Sequence, residues 1–138
     1  MRVVLDTNIL ISALIKQGSS SIILNKVIEG NQVKICLSDA VWDEYQQVLK
    51  RPKFSKYPQF VENSLFLLHF LKNHSLYFQP KRKVSLIKDQ SDNKFLELCL
   101  ESKADYLITG NFQDFSISSF RNTLILGPSE FVSKVLSI

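Results

Sequence analysis

The sequence predicts an α/β fold in which a mainly parallel sheet is covered by helices on both faces. Short segments of strand-forming residues alternate along the chain with longer segments of helical apolar spacing. The composition, with 45% hydrophobic and 22% charged residues, is typical of a globular protein. A length of 138 residues suits one core, so we expect residues 1–138 to form a single domain.

Each element follows from local signals. The first strand ends at the polar break Asp6-Thr7-Asn8, and Gly30 can end the second helix by adopting a positive φ. Ser38 is a good N-cap for the third helix, which Pro52 closes, and Pro58 suits the first turn of the fourth. The predicted strands are 2–5, 33–37, 75–79, 106–109 and 124–126. The predicted helices are 9–15, 19–29, 39–50, 58–72, 92–103 and 129–136, and 80–83 is expected to be the most mobile loop.

The apolar segments are too short for a membrane protein. Only three apolar residues lie between Arg2 and Asp6, and no run approaches the roughly 20 residues of a membrane span. We therefore expect a cytoplasmic protein. Cys36 and Cys99 lack the paired spacing of a zinc site, which favours buried thiols over a metal site or a disulfide.

Acidic and amide residues follow the predicted strands, where open parallel sheets bind ligands. Asp6 follows the first strand, while Asn111 and Asp114 follow the strand at 106–109. On a helical wheel of about 100° per residue, Glu44 flanks the apolar stripe of its helix and Asp43 points away. Asp92 begins a later helix in line with its buried side.

Each acid also has a structural explanation, as a helix cap for Asp92, a solvated flank residue for Glu44 or an Asx turn for Asp6. Their combination favours a metal site. Three separate segments bring oxygen ligands to one edge of the sheet, and hard divalent cations require such ligands.

The 17 Lys and Arg against 13 Asp and Glu are compatible with a nucleic-acid partner, and the distribution of the basic residues says more than their number. Two basic clusters carry candidate phosphate contacts, and the first also contains two aromatic residues that suit unstacked bases. The alternative is that both clusters are solvated loops. The first contains Lys50, Arg51, Lys53, Phe54, Lys56 and Tyr57, and the second, here called the basic triplet, contains Lys81, Arg82 and Lys83.

Four motifs in order resemble the PIN-domain nucleases, in particular single-domain bacterial toxins of toxin–antitoxin pairs. The resemblance spans nearly the whole chain. It implies a three-layer α/β/α Rossmann-like fold, Mg²⁺- or Mn²⁺-dependent endoribonuclease activity on RNA, a possible cognate antitoxin and a plausible homodimer. The motifs are Val3-Val4-Leu5-Asp6-Thr7-Asn8, Leu37-Ser38 leading to Glu44, Asp89-Gln90-Ser91-Asp92-Asn93-Lys94-Phe95, and Ala104 to Asn111.

The resemblance also implies roles for individual residues. Asp6, Glu44 and Asp92 match the three main metal-binding acids, Asn8 a polar partner near the metal, and Thr109 a hydroxyl that steadies the site. The sequence departs from the family at Asn111, where many relatives have a fourth Asp, and at Cys99, where many have Ala. Asn111 puts a second metal in doubt, although Asp114 could substitute for it.

These residues lead to a mechanistic hypothesis. Asp6, Glu44 and Asp92 hold a Mg²⁺ or Mn²⁺ ion that polarises the scissile phosphate and lowers the pKa of the attacking water, and a second ion would lie about 3.5–4 Å away. One alternative is a catalytically weak RNA-binding or partner-binding module. Another is a haloacid-dehalogenase-like phosphatase, because an Asp after the first strand can be a phosphoryl-accepting nucleophile. Asn8 counts against it, since enzymes of that kind resemble ones that need a second Asp two residues after the first.

Overall fold

The computed structural model describes residues 1–30, 32–85, 92–110 and 118–138. Its strands are β1 (Arg2–Leu5), β2 (Lys34–Leu37), β3 (Leu76–Tyr77), β4 (Tyr106–Ile108), β5 (Ser119–Phe120) and β6 (Thr123–Leu126). Its helices are α1 (Thr7–Ile15), α2 (Ser19–Glu29), α3 (Asp39–Leu49), α4 (Phe60–His74), α5 (Asn93–Ser102) and α6 (Pro128–Glu130). A 3₁₀ turn at Pro52–Phe54 follows α3, and a π-helical segment at Phe131–Leu136 continues α6.

The strands form one sheet in the order β3-β2-β1-β4-β6-β5. All neighbouring pairs are parallel except β5 and β6, which run antiparallel. This arrangement confirms the predicted α/β class with a mainly parallel sheet.

Strand β1 lies at the centre of the sheet and is buried on both faces. Val3, Val4 and Leu5 are fully inaccessible to solvent, although successive side chains of a strand point to opposite faces. Helices therefore cover both sides of β1, as parallel sheets require. In the sheet, β2 and β3 lie on one side of β1, and β4 and β6 lie on the other. The carboxyl ends of β1 and β4 therefore flank a topological switch point, where open α/β sheets bind ligands.

Helix α3 has the orientation that its sequence predicts. The Oγ atom of Ser38 accepts a hydrogen bond from the backbone N–H of Val41 at 3.3 Å, which confirms the predicted N-cap. Val41 and Tyr45 are fully buried, Glu44 is partly buried and Asp43 is exposed. The wheel therefore assigned the correct face to each of the two neighbouring acids.

The structure differs from the sequence-based expectation at the edges of the sheet. Strand β3 spans two residues rather than five, and the antiparallel strand β5 was not predicted. The turn between β5 and β6 contains Arg121 at a φ of 55°, without the glycine that usually marks such a turn. The predicted closing helix is divided into α6 and the π-helical segment.

Two further expectations concern burial and membrane insertion. Cys36 and Cys99 are buried and free, as predicted. Across the described residues, no helix combines the length and the apolarity needed to cross a bilayer.

Candidate active site

Asp6 lies at the carboxyl end of β1 and joins it to the end of β4. Its backbone N–H donates to the carbonyl oxygen of Ile108 at 3.0 Å, and its carboxylate atom Oδ2 accepts a hydrogen bond from the Thr109 hydroxyl at 2.7 Å. Asp6 is only 5% exposed and Thr109 is completely buried. The carboxylate is therefore held in one orientation at the switch point of the sheet.

Glu44 reaches the same region from α3. Its Oε2 atom accepts a hydrogen bond from the hydroxyl of Thr7, the residue that follows Asp6. Its Oε1 atom lies 2.8 Å from Nζ of Lys94, which α5 carries. Three elements thus meet at Glu44, and both of its carboxylate oxygens have partners.

The electrostatics of Asp6 show that the two carboxylates influence each other. Burial is the main reason why the pKa of Asp6 is raised above 3.8, its ordinary value, and the negative charge of Glu44 raises it further. The Thr109 hydroxyl and the backbone N–H groups of Thr7 and Asn8 lower the pKa in part. A cation between the two carboxylates would relieve both the desolvation and the repulsion.

Tyr45 fixes the position of the helix that carries Glu44. Its ring is completely buried, and its hydroxyl donates to the carbonyl oxygen of Leu5, one residue before Asp6. Burial raises the pKa of Tyr45 well above 10, so the hydroxyl remains a donor across the physiological range. This contact ties α3 to the strand that positions Asp6.

Asp92 lies at the N-cap position of α5, two residues before Lys94. Its backbone is helical there, with φ −87° and ψ −15°, and not extended as is typical of an N-cap. Asn93 beside it is buried. Asp92 and Lys94 therefore belong to the same end of α5, the end that approaches Glu44.

The structure brings Asp6 and Glu44 together but does not complete a metal centre from described residues. Among residues 1–30, 32–85, 92–110 and 118–138, no group of three or more His, Cys, Asp or Glu side chains is close enough to hold a metal ion. The predicted residues Asn111 and Asp114 lie outside the described residues. The pair itself fits a hard divalent cation, because it presents carboxylate oxygens that repel each other.

Comparison with known proteins decides the family. The model of the PIN domain family matches residues 2–113 of the chain. This protein belongs to the PIN domain family.

Two individual proteins are also similar to this PIN domain. The uncharacterized protein MJ1680 of Methanocaldococcus jannaschii is 33% identical over 112 residues, which are 80% of this chain and 71% of that protein. The crystal structure of VapBC2 from Rickettsia felis, bound to a DNA fragment from its promoter, has a chain of the same fold, with a TM-score of 0.57 and 18% identity. The alignment covers 92% of this chain and 98% of that chain. Membership of the PIN family places the protein among the nucleases, a class of hydrolases.

The first basic cluster of this PIN domain is exposed, but its aromatic residues have other partners. Phe54 is buried and stacks on Phe60 with the ring centroids 5.2 Å apart, so it is not available to an unstacked base. The expectation that Phe54 binds bases is therefore wrong. The four cations of the cluster, Lys50, Arg51, Lys53 and Lys56, remain exposed and can contact phosphates.

The basic triplet is attached to α5 through its backbone. The N–H of Lys81 donates to Glu101 Oε1 at 3.2 Å, and the N–H of Val84 donates to Glu97 Oε2 at 3.0 Å. The two acids are one helical turn apart, so they hold the segment along α5 while its three basic side chains stay exposed. The predicted loop is therefore anchored at two points.

A groove of about 240 Å³ in this PIN domain is lined by Lys83 of the basic triplet and by Lys94. It lies beyond the carboxyl end of β2, at the first turn of α3. Lys94 also contacts Glu44. The groove thus connects Lys83 to the candidate site. Its lining includes Ser38, Asp39, Phe78, Lys83, Lys94 and Glu97.

Sequence reasoning missed three residues of the site, and each lies within two residues of one that it identified. Thr7 follows Asp6 and contacts Glu44, whereas the side chain of Asn8 is exposed at the start of α1. Tyr45 follows Glu44, but its place in the apolar stripe concealed the role of its hydroxyl. Lys94 follows Asp92 in a motif that was assessed only for its acid.

Proposed function

We propose that this PIN domain is a divalent-metal-dependent endoribonuclease that hydrolyses the phosphodiester bonds of RNA. The observation that carries the proposal is the approach of the Asp6 and Glu44 carboxylates at the switch point of the sheet, each oriented by a threonine hydroxyl. Preorganised acids of this kind suit the binding of a cation.

Asp6 and Glu44 would hold Mg²⁺ or Mn²⁺ together with Asp92, with Asn111 or Asp114 as a further oxygen ligand. When bound, the ion polarises the scissile phosphate and lowers the pKa of the attacking water. Thr109 and Thr7 keep the carboxylate oxygens of Asp6 and Glu44 in place. Tyr45 keeps α3, and with it Glu44, in register with β1.

Charge supports a nucleic-acid substrate. The chain has a formal net charge of +4, and three of its acids are assigned to the metal site. The surface outside the site is therefore more positive than the net charge indicates. The three side chains of the basic triplet are exposed, and one of them, Lys83, lines the groove together with Lys94. Such cations contact backbone phosphates, which RNA and DNA share, so the preference for RNA rests on the family resemblance.

We also propose that the protein is the toxin of a toxin–antitoxin pair and is inhibited by a cognate antitoxin. A relative of the same fold, VapBC2 of Rickettsia felis, supports this assignment by its name. Helix α4 exposes an apolar face with Val61, Leu65 and Phe66 at 49%, 56% and 60% exposure, as expected of a surface that binds protein. A homodimer formed through this face is the alternative. Light scattering of the purified chain, alone and with a candidate antitoxin, distinguishes the two.

A cleavage assay with paired substrates tests the nuclease proposal. Single-stranded RNA and DNA of matched sequence are incubated with the protein in Mn²⁺, Mg²⁺ or EDTA. We expect cleavage of RNA in the presence of metal and none in EDTA. Cleavage that persists in EDTA would exclude the metal mechanism, and preferential cleavage of DNA would exclude the substrate assignment.

Binding of RNA without cleavage under every metal condition would favour the binding-module alternative. Release of inorganic phosphate from an aryl phosphate, without cleavage of RNA, would instead favour the phosphatase.

A further inference from the structure

Lys94 supplies a cation to Glu44, one of the two carboxylates of the candidate site. Its ammonium lies 2.8 Å from Oε1 of Glu44, and the two side chains are only 23% and 19% exposed. The two partners lie on α5 and α3, whereas two other ion pairs of described residues, Lys26 with Glu29 and Lys134 with Glu130, join residues within four positions of each other. The fold therefore brings a positive charge to Glu44 from 50 residues away.

The surroundings of Glu44 limit how a metal ion can reach it. One oxygen accepts from Thr7 and the other contacts Lys94. A divalent ion bound by Glu44 would lie within a few ångströms of the Lys94 ammonium, and like charges at that distance repel each other strongly at a partly buried site. The Thr7 hydroxyl is neutral and produces no such repulsion.

The groove beside Lys94 offers space for another position of its side chain. Its side chain lines the groove that Lys83 and the first turn of α3 border. An ammonium that leaves Glu44 can therefore turn into the groove, where it remains hydrated or contacts an anionic ligand. The metal ion would then take the place of the Lys94 ammonium at the Glu44 carboxylate.

We propose that Lys94 is a built-in counter-ion that competes with the divalent metal for Glu44. It partly neutralises Glu44 in the metal-free protein and weakens metal binding. This inference rests on the proposed metal-dependent function. A residue that served only to stabilise the fold would not change the affinity for metal in this direction.

Metal affinity measured without substrate tests the competition. Binding of Mn²⁺ is followed by titration calorimetry and by the electron paramagnetic resonance signal of free Mn²⁺, for the wild type and for Lys94→Met, which removes the charge at similar length. We expect the Kd to fall by about tenfold, since one unit charge a few ångströms from a divalent ion has at least this effect even with strong screening. Lys26→Met, which removes a lysine of similar exposure paired within α2, should leave the Kd unchanged.

The double variant locates the effect at Glu44. In a Glu44→Gln background, Lys94→Met should change the Kd by much less than it does in the wild type, because the shared carboxylate is gone. If Lys94→Met does not fold, as judged by circular dichroism, Lys94→Gln replaces it in the same comparison.

The outcomes separate this inference from the proposed function. A wild type that binds Mn²⁺ and cleaves RNA, with unchanged or weaker binding in the folded Lys94 variant, would overturn the competition alone. Absence of Mn²⁺ binding in both proteins would overturn both proposals. Binding that appears only in the Lys94 variant would support the competition in its strongest form.

Discussion

Substitution of two neighbouring acids on α3 tests the candidate site most directly. Glu44 faces the site, where Lys94 and Thr7 contact its two oxygens, whereas Asp43 beside it is exposed. Glu44→Gln and Asp43→Asn each remove one negative charge and preserve the shape of the side chain. The two variants therefore share their effect on net charge and differ in the position of the lost carboxylate.

For Glu44→Gln, the structure indicates a small effect on the free energy of unfolding and a large effect on the cleavage rate. In Glu44→Gln, a 2.8 Å ion pair becomes at best a hydrogen bond from the Lys94 ammonium to a neutral amide oxygen. Because both partners are about one-fifth exposed and the repulsion of Asp6 is relieved, we expect a net loss of about 1 kcal/mol in the free energy of unfolding. A domain with about 5–15 kcal/mol of stability stays folded after such a loss. Loss of a metal ligand should lower the cleavage rate by roughly 100-fold or more, which corresponds to about 2.7 kcal/mol in the activation barrier.

Asp43→Asn should change the free energy of unfolding by no more than about 0.5 kcal/mol and the rate by less than about twofold, because the side chain is exposed. The assay measures initial rates of RNA cleavage in Mn²⁺, together with urea unfolding followed by circular dichroism. Equal loss of activity in both variants would refute the assignment of the site to the Glu44 face of α3. A folded Glu44→Gln variant with the wild-type rate would refute a role for Glu44 in metal binding.

Three further substitutions have distinct expected results. Asp6→Asn should abolish cleavage but raise the melting temperature of the metal-free protein at neutral pH. Burial raises the pKa of Asp6, so the folded state keeps a proton that the unfolded chain loses above its ordinary pKa of 3.8, and stability falls as the pH rises through the folded-state pKa. This advantage should vanish below that ordinary pKa, and an Asn variant that melts lower than the wild type at pH 7 would contradict the reasoning. Tyr45→Phe should cost about 1–3 kcal/mol in urea unfolding, because the carbonyl oxygen of Leu5 loses a buried donor, and an unchanged midpoint would exclude that contact as an anchor. Alanine at all three positions of the basic triplet should weaken RNA affinity and flatten its dependence on salt, measured by fluorescence anisotropy. An unchanged slope would show that the triplet does not contact phosphates.

The sequence predicted those parts of the site that depend on local signals. Ser38 was identified as a cap from its position before an apolar helix, and the wheel placed Glu44 inward and Asp43 outward. These inferences succeeded because helical periodicity and capping act over a few residues. Asp6 was identified because a polar residue directly after a buried strand emerges at the ligand-binding edge of a parallel sheet.

Local signals were insufficient at the margins of the fold. The turn at Arg121 that follows β5 lacks the usual turn residues, so the sequence did not predict this strand. Phe54 was predicted to be available at the surface because cations surround it in the sequence, although it packs into the core. At Phe54, packing into the core outweighs the polar character of the neighbouring residues.

By itself, the sequence determined the α/β class, the residues that end β1, β2 and β6 and the face of α3 that carries the site, because these depend on periodicity and on neighbouring residues. Only the tertiary structure decided which of these residues meet. The contacts of Asp6 with Thr109, of Glu44 with Lys94 and of Glu44 with Thr7 span 103, 50 and 37 residues. They exist because β4 pairs with β1 and because α3 and α5 pack together near the end of β1. A hydrogen bond or an ion pair forms only when two groups are within a few ångströms, and chain proximity does not encode that distance for residues so far apart.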